Sequence, residues 1–483
     1  MNFELEFNNT FVNLPDKFYA RLKPVPVKRP KLIKINKELA EYLGIEVNNT
    51  NSKIWENVFS GNKIAKSAEP LAMTYAGHQF GHWVSQLGDG RAILLGELIS
   101  KDGYRKDIQL KGSGRTPFSR MGDGRAWLGP IIREYIVSEA MYKLGIPTTR
   151  ALAIVETGET VFREKEFPGA ILTRVANSHI RVGTFQYFAS RQDFKSVKIL
   201  ADYVINRHYP ECRGKNKYIE FFKTLANKQV FLIAKWMSVG FIHGVMNTDN
   251  TSISGETIDY GPCAFMDNFS FNQVFSSIDQ MGRYAYKNQP EIIKWNLACL
   301  ATCLLPLIDE DEKKSINYAQ NIIDGIANTY ENFWLNNFRT KLGLMKKENQ
   351  DKYLINNLLD IMEKNDLDFT ITFRKISSLE IENNLFNDIK DLNEWKIKYI
   401  TRLNKEKQKS NDRINNMQLK NPVYIPRNHI IEKVINEALG NNYTEFNLLA
   451  EALSNPYKEK KDFQKFSKAP LEKEKVLKTF CGT

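Results

Sequence analysis

Two acidic residues and an amide in the middle of the chain have the types and order needed for phosphate chemistry. Asp249 and Asn250 are adjacent, His243 precedes them, and Asp259 lies in the run Thr257-Ile258-Asp259-Tyr260-Gly261, which predicts a short strand. A loop aspartate can accept a proton, while an amide and a second carboxylate supply oxygen ligands that Mg²⁺ prefers. The order suits a kinase-like site, although ordinary kinases separate the Asp from the Asn. The alternative is an Asn- and Asp-rich turn.

Four more charged residues could act on the same phosphates. Lys111 ends an apolar strand pattern, and Glu134 lies within a predicted helix further along the chain. In protein kinases a strand lysine contacts phosphates and is held by a helix glutamate. Arg174 and Arg181 could each bind phosphate oxygens bidentately. The alternatives are a surface lysine and a glutamate without contact, and arginines in structural salt bridges.

Three glycine-rich turns, each followed by an arginine, occur within a short stretch. They are Gly88-Asp89-Gly90-Arg91, Gly112-Ser113-Gly114-Arg115 and Gly122-Asp123-Gly124-Arg125. Glycines let backbone N–H groups approach phosphate oxygens, and the arginines add positive charge. Any one of them could be an ordinary turn. None has the Gly-Lys-Ser/Thr ending of a P-loop.

Other catalytic motifs fit the sequence less well. His78-Gln79-Phe80-Gly81-His82 has the histidine spacing of a zinc protease, but Gln79 cannot act as the general base. Cys299 and Cys303 are one helical turn apart without further ligands nearby, which favours a core position. No Gly-x-Ser-x-Gly elbow is present. These patterns argue against a zinc protease, a zinc site and a serine hydrolase.

The elements around these residues predict a strand-rich part followed by a helical part. Strand-length apolar runs occur at 92–95, 108–110, 151–155 and 170–172, and one helix is predicted over 128–144. After residue 193 the pattern is helical, with predicted helices over 194–205, 218–241, 291–305 and 313–337. Amphipathic, exposed helices are expected over 346–420. The fold class is therefore predicted to be α+β.

Composition limits the partners and the compartment. The 483 residues carry a formal net charge of +12, but the lysines are spread along the chain and no nucleic-acid module is recognisable. The longest nearly apolar run, 297–308, is shorter than the roughly 20 residues of a membrane span. The N-terminus has no signal-peptide pattern, and five scattered cysteines do not form a disulfide framework. We expect a cytoplasmic protein without a nucleic-acid or membrane partner.

Long motifs around these residues carry a resemblance that extends over nearly the whole chain. They comprise Tyr75-Ala76-Gly77-His78-Gln79-Phe80-Gly81, Leu87-Gly88-Asp89-Gly90-Arg91-Ala92, 109–117, Gly122-Asp123-Gly124-Arg125-Ala126, Ile132-Arg133-Glu134-Tyr135, 147–152, 174–181, 243–250, Asp259-Tyr260-Gly261-Pro262, 282–290 and 421–428. On these motifs the chain resembles the selenoprotein O family, also called YdiU-like proteins.

The resemblance implies a protein-kinase-like fold with two lobes and a protein adenylyltransferase activity. The expected division is an N-terminal extension over 1–62, a strand-rich N-lobe with nucleotide-binding loops over 63–190, and a helical C-lobe with the catalytic loop and tail over 191–483. ATP would bind inverted relative to ordinary kinases. AMP would pass to Ser, Thr or Tyr hydroxyls of protein substrates, and pyrophosphate would be released.

The family's site residues carry over to matching positions of this sequence. Asp249 would be the catalytic proton acceptor, Asn250 and Asp259 would bind Mg²⁺ or Mn²⁺, and Glu134 would position Lys111. The residues expected to bind ATP are Gly88, Gly90, Arg91, Lys111, Asp123, Gly124, Arg174, Arg181 and Asp259.

The resemblance also implies a redox role near the C-terminus. Many members end in a selenocysteine or cysteine, and Cys481 stands at that place. In some members this residue pairs with a cysteine after the Asp-Tyr-Gly motif. The aligned residue of this chain is Phe275, and Cys263 is the nearest cysteine.

Two other functions remain open for the same residues. One is a kinase that transfers the γ-phosphoryl group, and the other is a nucleotide-binding scaffold without catalysis. Asp249, Asn250 and Asp259 are all present, which argues against the scaffold.

Overall fold

The computed structural model describes residues 5–48, 51–378 and 389–480. Within these ranges the chain is α+β, as the sequence predicts. The strands are β1 (Tyr19–Arg21), β2 (Lys31–Ile35), β3 (Leu71–Gln79), β4 (His82–Gly88), β5 (Ala92–Ile99), β6 (Arg105–Lys111), β7 (Ala126–Trp127), β8 (Arg150–Phe162), β9 (Glu166–Ala176), β10 (Phe241–Ile242) and β11 (Ala264–Phe265). The helices are α1 (Lys37–Tyr42), α2 (Ser52–Phe59), α3 (Leu128–Lys143), α4 (Val182–Ala189), α5 (Phe194–His208), α6 (Lys217–Ser238), α7 (Gln289–Ile308), α8 (Glu312–Lys341), α9 (Asp351–Lys364), α10 (Phe369–Ile376), α11 (Lys390–Leu403), α12 (Ser410–Gln418), α13 (Asn428–Leu439) and α14 (Thr444–Leu453).

A large antiparallel sheet occupies the N-terminal part of the described chain. Its strand order is β1-β3-β5-β6-β9-β8-β2, with β4 paired to β3 and β7 paired to β9. β1 and β2 come from the first 62 residues, yet they pair with β3 and β8 of the main sheet. This sheet carries Lys111 at the end of β6 and Arg174 on the neighbouring strand β9.

The four predicted strands are confirmed, and each is longer than its apolar run. They correspond to β5, β6, β8 and β9. The hairpin of β3 and β4 was not predicted, because most of β4 is exposed and its sequence lacks a buried apolar face. The predicted strand at 257–261 is wrong. Only Thr257 forms an isolated bridge, to Thr148, and Asp259 has a left-handed φ of 64° that a strand does not allow.

Helix α3 confirms the helix predicted at 128–144. Ile131, Ile132 and Met141 are buried by the sheet and the C-terminal helices. Gly145, with φ of 74°, ends the helix, and the N–H of Ile146 bonds back to the carbonyl of Met141. The helix therefore presents a fixed face to the sheet, and Glu134 lies on that face.

The predicted helices of the second half are confirmed as α5 to α8, with small differences at their ends. Residues 286–308, which include α7, are apolar and long enough to cross a membrane by length and composition alone. In this fold α7 packs against α6 and α8, and Leu297, Leu300 and Leu304 lie in the core. A core helix of a soluble protein passes the same test, so this feature is weak evidence of a membrane span.

Helices α9 to α12 lie in the stretch where exposed amphipathic helices were predicted, apart from residues 379–388, which are outside the described ranges. Their apolar faces are buried, with Leu358, Trp395 and Tyr399 almost inaccessible to solvent. Farther along, α13 and α14 return to α3, where Asn428 accepts a hydrogen bond from Arg133 (2.9 Å). The C-terminal part thus supports the helix that carries Glu134.

Candidate active site

A cleft of about 440 Å³ separates the sheet from the loops that follow β10. Its wall on the sheet side includes Lys111 and Arg174, and its opposite wall includes Asp249, Asn250 and Asp259. Residues from distant parts of the sequence therefore meet in one cavity. The other predicted residues that line it are Gly88, Gly90, Arg91, Glu134 and Arg181.

Lys111 and Glu134 form an ion pair within this cleft. The Lys111 Nζ lies 2.5 Å from Glu134 Oε2 and 3.3 Å from Asp259 Oδ1. Glu134 is 2% exposed, so solvent has almost no access to its carboxylate. The contact predicted between strand lysine and helix glutamate is present, and the alternative of a lysine and a glutamate without contact is wrong.

Asp259 is the centre of a cluster of positive charge. Arg174 Nη1 lies 2.6 Å from its Oδ1, and Arg181 Nη1 lies 2.5 Å from its Oδ2. Burial by itself would raise the pKa of Asp259, but Arg181, Arg174 and Lys111 hold that pKa well below its usual range. Asp259 is therefore ionised at neutral pH. Its left-handed backbone is the kind of local strain that proteins keep at functional sites.

Asp249 has a different environment from Asp259. Burial raises the pKa of its carboxyl to about 6, against the lowering effects of a hydrogen bond from Gln79 and the charge of Arg181. Gln79 Nε2 donates to Oδ2 at 3.0 Å, while Oδ1 is buried and has no hydrogen-bond partner. Oδ2 is thus held by Gln79, whereas Oδ1 is closed off from solvent against Gly77.

The β3–β4 hairpin packs directly against the loop that carries Asp249. A Cβ atom on Gly77 would lie 2.6 Å from Asp249 Oδ1, so only glycine fits there. The N–H of His78 donates to Thr248 Oγ1 (2.8 Å), and the N–H of Phe80 donates to Asn247 Oδ1 (3.0 Å). The hairpin therefore fixes the catalytic loop relative to the sheet.

Asn250 and Asp259 fit the demands of a Mg²⁺ site that is shared with phosphate oxygens. Asn250 Nδ2 donates to the carbonyl of Val245 (2.8 Å), which leaves Oδ1 for a ligand. Such a site needs only one or two protein oxygen ligands, because water and phosphates supply the rest. No group of three or more His, Cys, Asp or Glu residues suited to a metal occurs in the described ranges. A metal held by Asn250 and Asp259 would need water and phosphate oxygens as its other ligands.

Two residues expected to bind ATP do not line the cleft. Asp123 forms an ion pair with Arg163 (2.9 Å) in an exposed turn. The carbonyl of Gly124 accepts from the N–H of Gly114 (3.1 Å) in the same region. Cys481 lies outside the described residues, although Thr479 pairs with Ser276 beside Phe275.

Sequence reasoning missed several residues that the structure brings to the site. Gln79 was rejected as a general base, yet it donates a hydrogen bond to Asp249 Oδ2. The ring of Tyr75 lies 4.8 Å from the Arg181 guanidinium, and Asp89 Oδ2 accepts from Gln109 (3.1 Å), which in turn accepts from Arg174 (2.6 Å). The available signal was their inclusion in the long motifs at 75–81 and 87–92.

A deep cleft in which Lys111, Arg174 and Arg181 surround the ionised carboxylate of Asp259 suits the binding of a nucleotide polyphosphate. Comparison with known proteins agrees. The sequence profile of the family described as "Protein adenylyltransferase SelO" matches residues 1–468. A protein named "Protein nucleotidyltransferase YdiU" from Bradyrhizobium diazoefficiens is 52% identical over 491 residues, covering 100% of both chains. A protein of the same name from Rhodopseudomonas palustris is 50% identical and covers 100% of both chains. Another, from Agrobacterium fabrum, is 50% identical and covers 99% of this chain and 100% of its own length.

The chain belongs to the SelO family.

Proposed function

We propose that this nucleotidyltransferase moves AMP from ATP to a Ser, Thr or Tyr hydroxyl of an acceptor protein and releases pyrophosphate. The observation that carries the proposal is the convergence of Lys111, Arg174 and Arg181 on one carboxylate, in a cleft that Asp249 also lines. The family description and the names of the relatives support the same reaction.

The three cations would hold the β- and γ-phosphates. In the reaction the acceptor oxygen forms a bond to the α-phosphorus, and the bond from that phosphorus to the bridging oxygen breaks. Negative charge then develops on pyrophosphate. Cations that are already fixed in place stabilise this charge without reorganising, which is a major source of rate enhancement. Glu134 keeps Lys111 in position for this role.

Asp249 would accept the proton of the attacking hydroxyl. Its side chain lines the cleft, and Gln79 holds its Oδ2 in a fixed orientation. A base is most effective when its pKa lies near the working pH, and burial raises the pKa of Asp249 to about 6. Burial outweighs the charge of Arg181 at Asp249, whereas three cations surround Asp259, so Asp249 can gain a proton while Asp259 stays ionised.

Asn250 and Asp259 would hold a divalent ion, Mg²⁺ or Mn²⁺. When bound, such an ion supplies Lewis-acid stabilisation of the phosphate oxygens. Asp259 contributes its carboxylate, and its cationic partners would turn toward the entering phosphates. Asn250 contributes the amide oxygen that its bond to Val245 leaves free.

The proposal includes a two-lobed, kinase-like arrangement with the division at 1–62, 63–190 and 191–483. The ion pair of Lys111 with Glu134, and Asp259 placed after the catalytic loop, support it. A cytoplasmic location, and a redox role for Cys481, belong to the same proposal.

Labelled ATP distinguishes the candidate reactions. The purified protein is incubated with Mg²⁺, acceptor proteins from a lysate and ATP labelled at either the α- or the γ-phosphate. Label that enters protein from the α position alone supports AMP transfer. Label from the γ position would overturn it in favour of a kinase, and nucleotide binding without label from either position would favour a scaffold.

A further inference from the structure

A second groove continues from the cleft along the surface. It has a volume of about 590 Å³, and we define it by Phe80, His82, Ile278, Met281, Arg283 and Glu291. Phe80 and Ile278 line both the groove and the cleft, so the two cavities share a border. A chain lying in the groove would therefore enter the cleft that contains Asp249.

Arg283 is a cation without a carboxylate partner in this groove. No Asp or Glu of the described residues lies within ion-pair distance of its guanidinium, and its Nε is buried without a hydrogen-bond partner. The guanidinium lies 4.9 Å from the ring centroid of Trp295 and packs against Gly81. An arginine held in this way is prepared to bind an incoming carboxylate.

Asp279 also lines the groove, but its oxygens already accept backbone hydrogen bonds. Oδ1 accepts from the N–H of Arg283 (2.9 Å), and Oδ2 accepts from the N–H of Tyr284 (2.8 Å). The carboxylate thus shapes the turn instead of neutralising the guanidinium. Glu291 also lines the groove, on the exposed start of α7, and forms no ion pair within the described part of the chain.

The groove is tied to the catalytic loop through the hairpin tip. Phe80 has a left-handed φ of 52°, which is unfavourable for a bulky residue. It is held by the bond from its N–H to Asn247 and by the ring of Tyr284 at 5.1 Å. The Tyr284 hydroxyl also donates to Asn247 Oδ1 (2.6 Å). Phe80 of the groove, and Tyr284 next to Arg283, thus both contact the loop that carries Asp249.

The rim of the groove is apolar and open to solvent. Ile278 is 65% exposed and Met281 is 93% exposed. Exposed apolar side chains around a polar centre are common at surfaces that bind other proteins.

We propose that this groove binds an extended segment of the acceptor protein, with an acidic side chain on Arg283 and apolar side chains on Ile278 and Met281. The segment places its hydroxyl residue in the cleft beside Asp249. The proposal rests on the proposed function and adds a substrate class to it: acceptors with an acidic residue near the modified hydroxyl.

Synthetic nine-residue peptides test the groove. Each has one central Ser, Thr or Tyr, and a single Glu or, in the matched peptide, a single Gln at one flanking position. Transfer from α-labelled ATP gives kcat and KM for each peptide. With the unchanged protein we expect about tenfold higher kcat/KM for Glu than for Gln at one position or more, mainly through KM.

Variants of Arg283 identify the source of that preference. Arg283→Gln should abolish it, Arg283→Lys should keep part of it, and Arg283→Glu should favour peptides with Lys instead. The KM for ATP should stay within twofold in all three, which also reports correct folding. Lys287→Gln, with the same loss of charge on an exposed residue outside the groove lining, is the matched control and should keep the preference.

An equal Glu-to-Gln ratio in the unchanged protein and in Arg283→Gln would overturn the groove proposal. Labelling of lysate proteins without labelling of any peptide would overturn it as well, because a groove that binds an extended segment must accept one. Absence of AMP transfer to both peptides and lysate proteins would instead contradict the proposed function.

Discussion

Two buried clusters of charge show how a binding site differs from a structural ion network. The cleft cluster consists of Lys111, Glu134, Arg174, Arg181 and Asp259, with three cations and two carboxylates. The C-terminal cluster, between α8, α9 and α11, consists of Arg339, Asp351, Arg402 and Glu406, with two of each.

The clusters differ in access to solvent. Each charge of the C-terminal cluster has an opposite partner, and Asp351 and Arg402 are at most 2% exposed. In the cleft cluster Asp89 adds a third carboxylate, 3.9 Å from Arg181, but this cluster opens on a cavity. A closed cluster is complete without a ligand, whereas cations that line an open cavity can bind an anion. The comparison predicts that changes in one cluster affect stability and changes in the other affect catalysis.

The largest expected effect is on stability, from Arg402→Met. Arg402 Nε lies 2.7 Å from Asp351 Oδ1, and its Nη1 lies 2.7 Å from Glu406 Oε1. Removing it leaves two buried carboxylates short of a partner, which costs about 3–5 kcal/mol of unfolding free energy. Denaturant unfolding measures this loss, while kcat per folded molecule should not change.

A matched variant separates burial from charge in this test. Lys352 forms an equally short pair with Glu331, but both side chains are about half exposed. Lys352→Met should leave the unfolding midpoint unchanged within error. A similar loss of stability in both variants would contradict the view that the C-terminal cluster is structural because it is buried.

The second effect is on catalysis, from Asp259→Asn. This change keeps the shape of the side chain but removes the charge that contacts Arg174 and Arg181 and that we propose binds the metal. AMP transfer should fall by about 100-fold or more. Rates with α-labelled ATP at several Mg²⁺ concentrations measure it.

Asp202→Asn is the control for the loss of one carboxylate. Asp202 contacts both Lys198 and Lys217 on the surface of the helical part, and it does not line the cleft. Its variant should keep the normal rate. Near-normal turnover of Asp259→Asn would remove the metal assignment and the distinction between the clusters.

The sequence was sufficient to predict those parts of the site that local patterns encode. Apolar runs located the strands that carry Lys111 and Arg174, and helical spacing located α3 with Glu134. Tertiary contacts decided the rest. In the sequence, Ile258 and Tyr260 are the residue types of a buried strand. In the structure both are buried, but they flank Asp259, whose backbone is left-handed, and form no strand.

The contact between Gln79 and Asp249 could not be predicted for a related reason. It joins residues far apart in the sequence, through a hairpin whose outer strand is mostly exposed and lacks a periodic apolar face. A glutamine at this position has no chemical signature of its own. Its role depends only on where the fold places it.

The smallest of the three effects is expected at this contact, from Gln79→Met. Methionine has similar length but cannot donate to Asp249 Oδ2, so the carboxylate loses the bond that orients it. We expect kcat to fall by about tenfold, as for the loss of one hydrogen bond to a charged group. The KM for ATP should stay within twofold, because the cations of the cleft cluster are unchanged.

Gln86→Met provides the same substitution on the exposed side of the same hairpin. It should alter neither constant. If Gln79→Met raised KM for ATP and left kcat unchanged, Gln79 would belong to nucleotide binding. The wall that carries Asp249 would then bind the same phosphates as the cleft cluster. Separate roles for Asp249 as the base and for the cations around Asp259 as the phosphate-binding group would be contradicted.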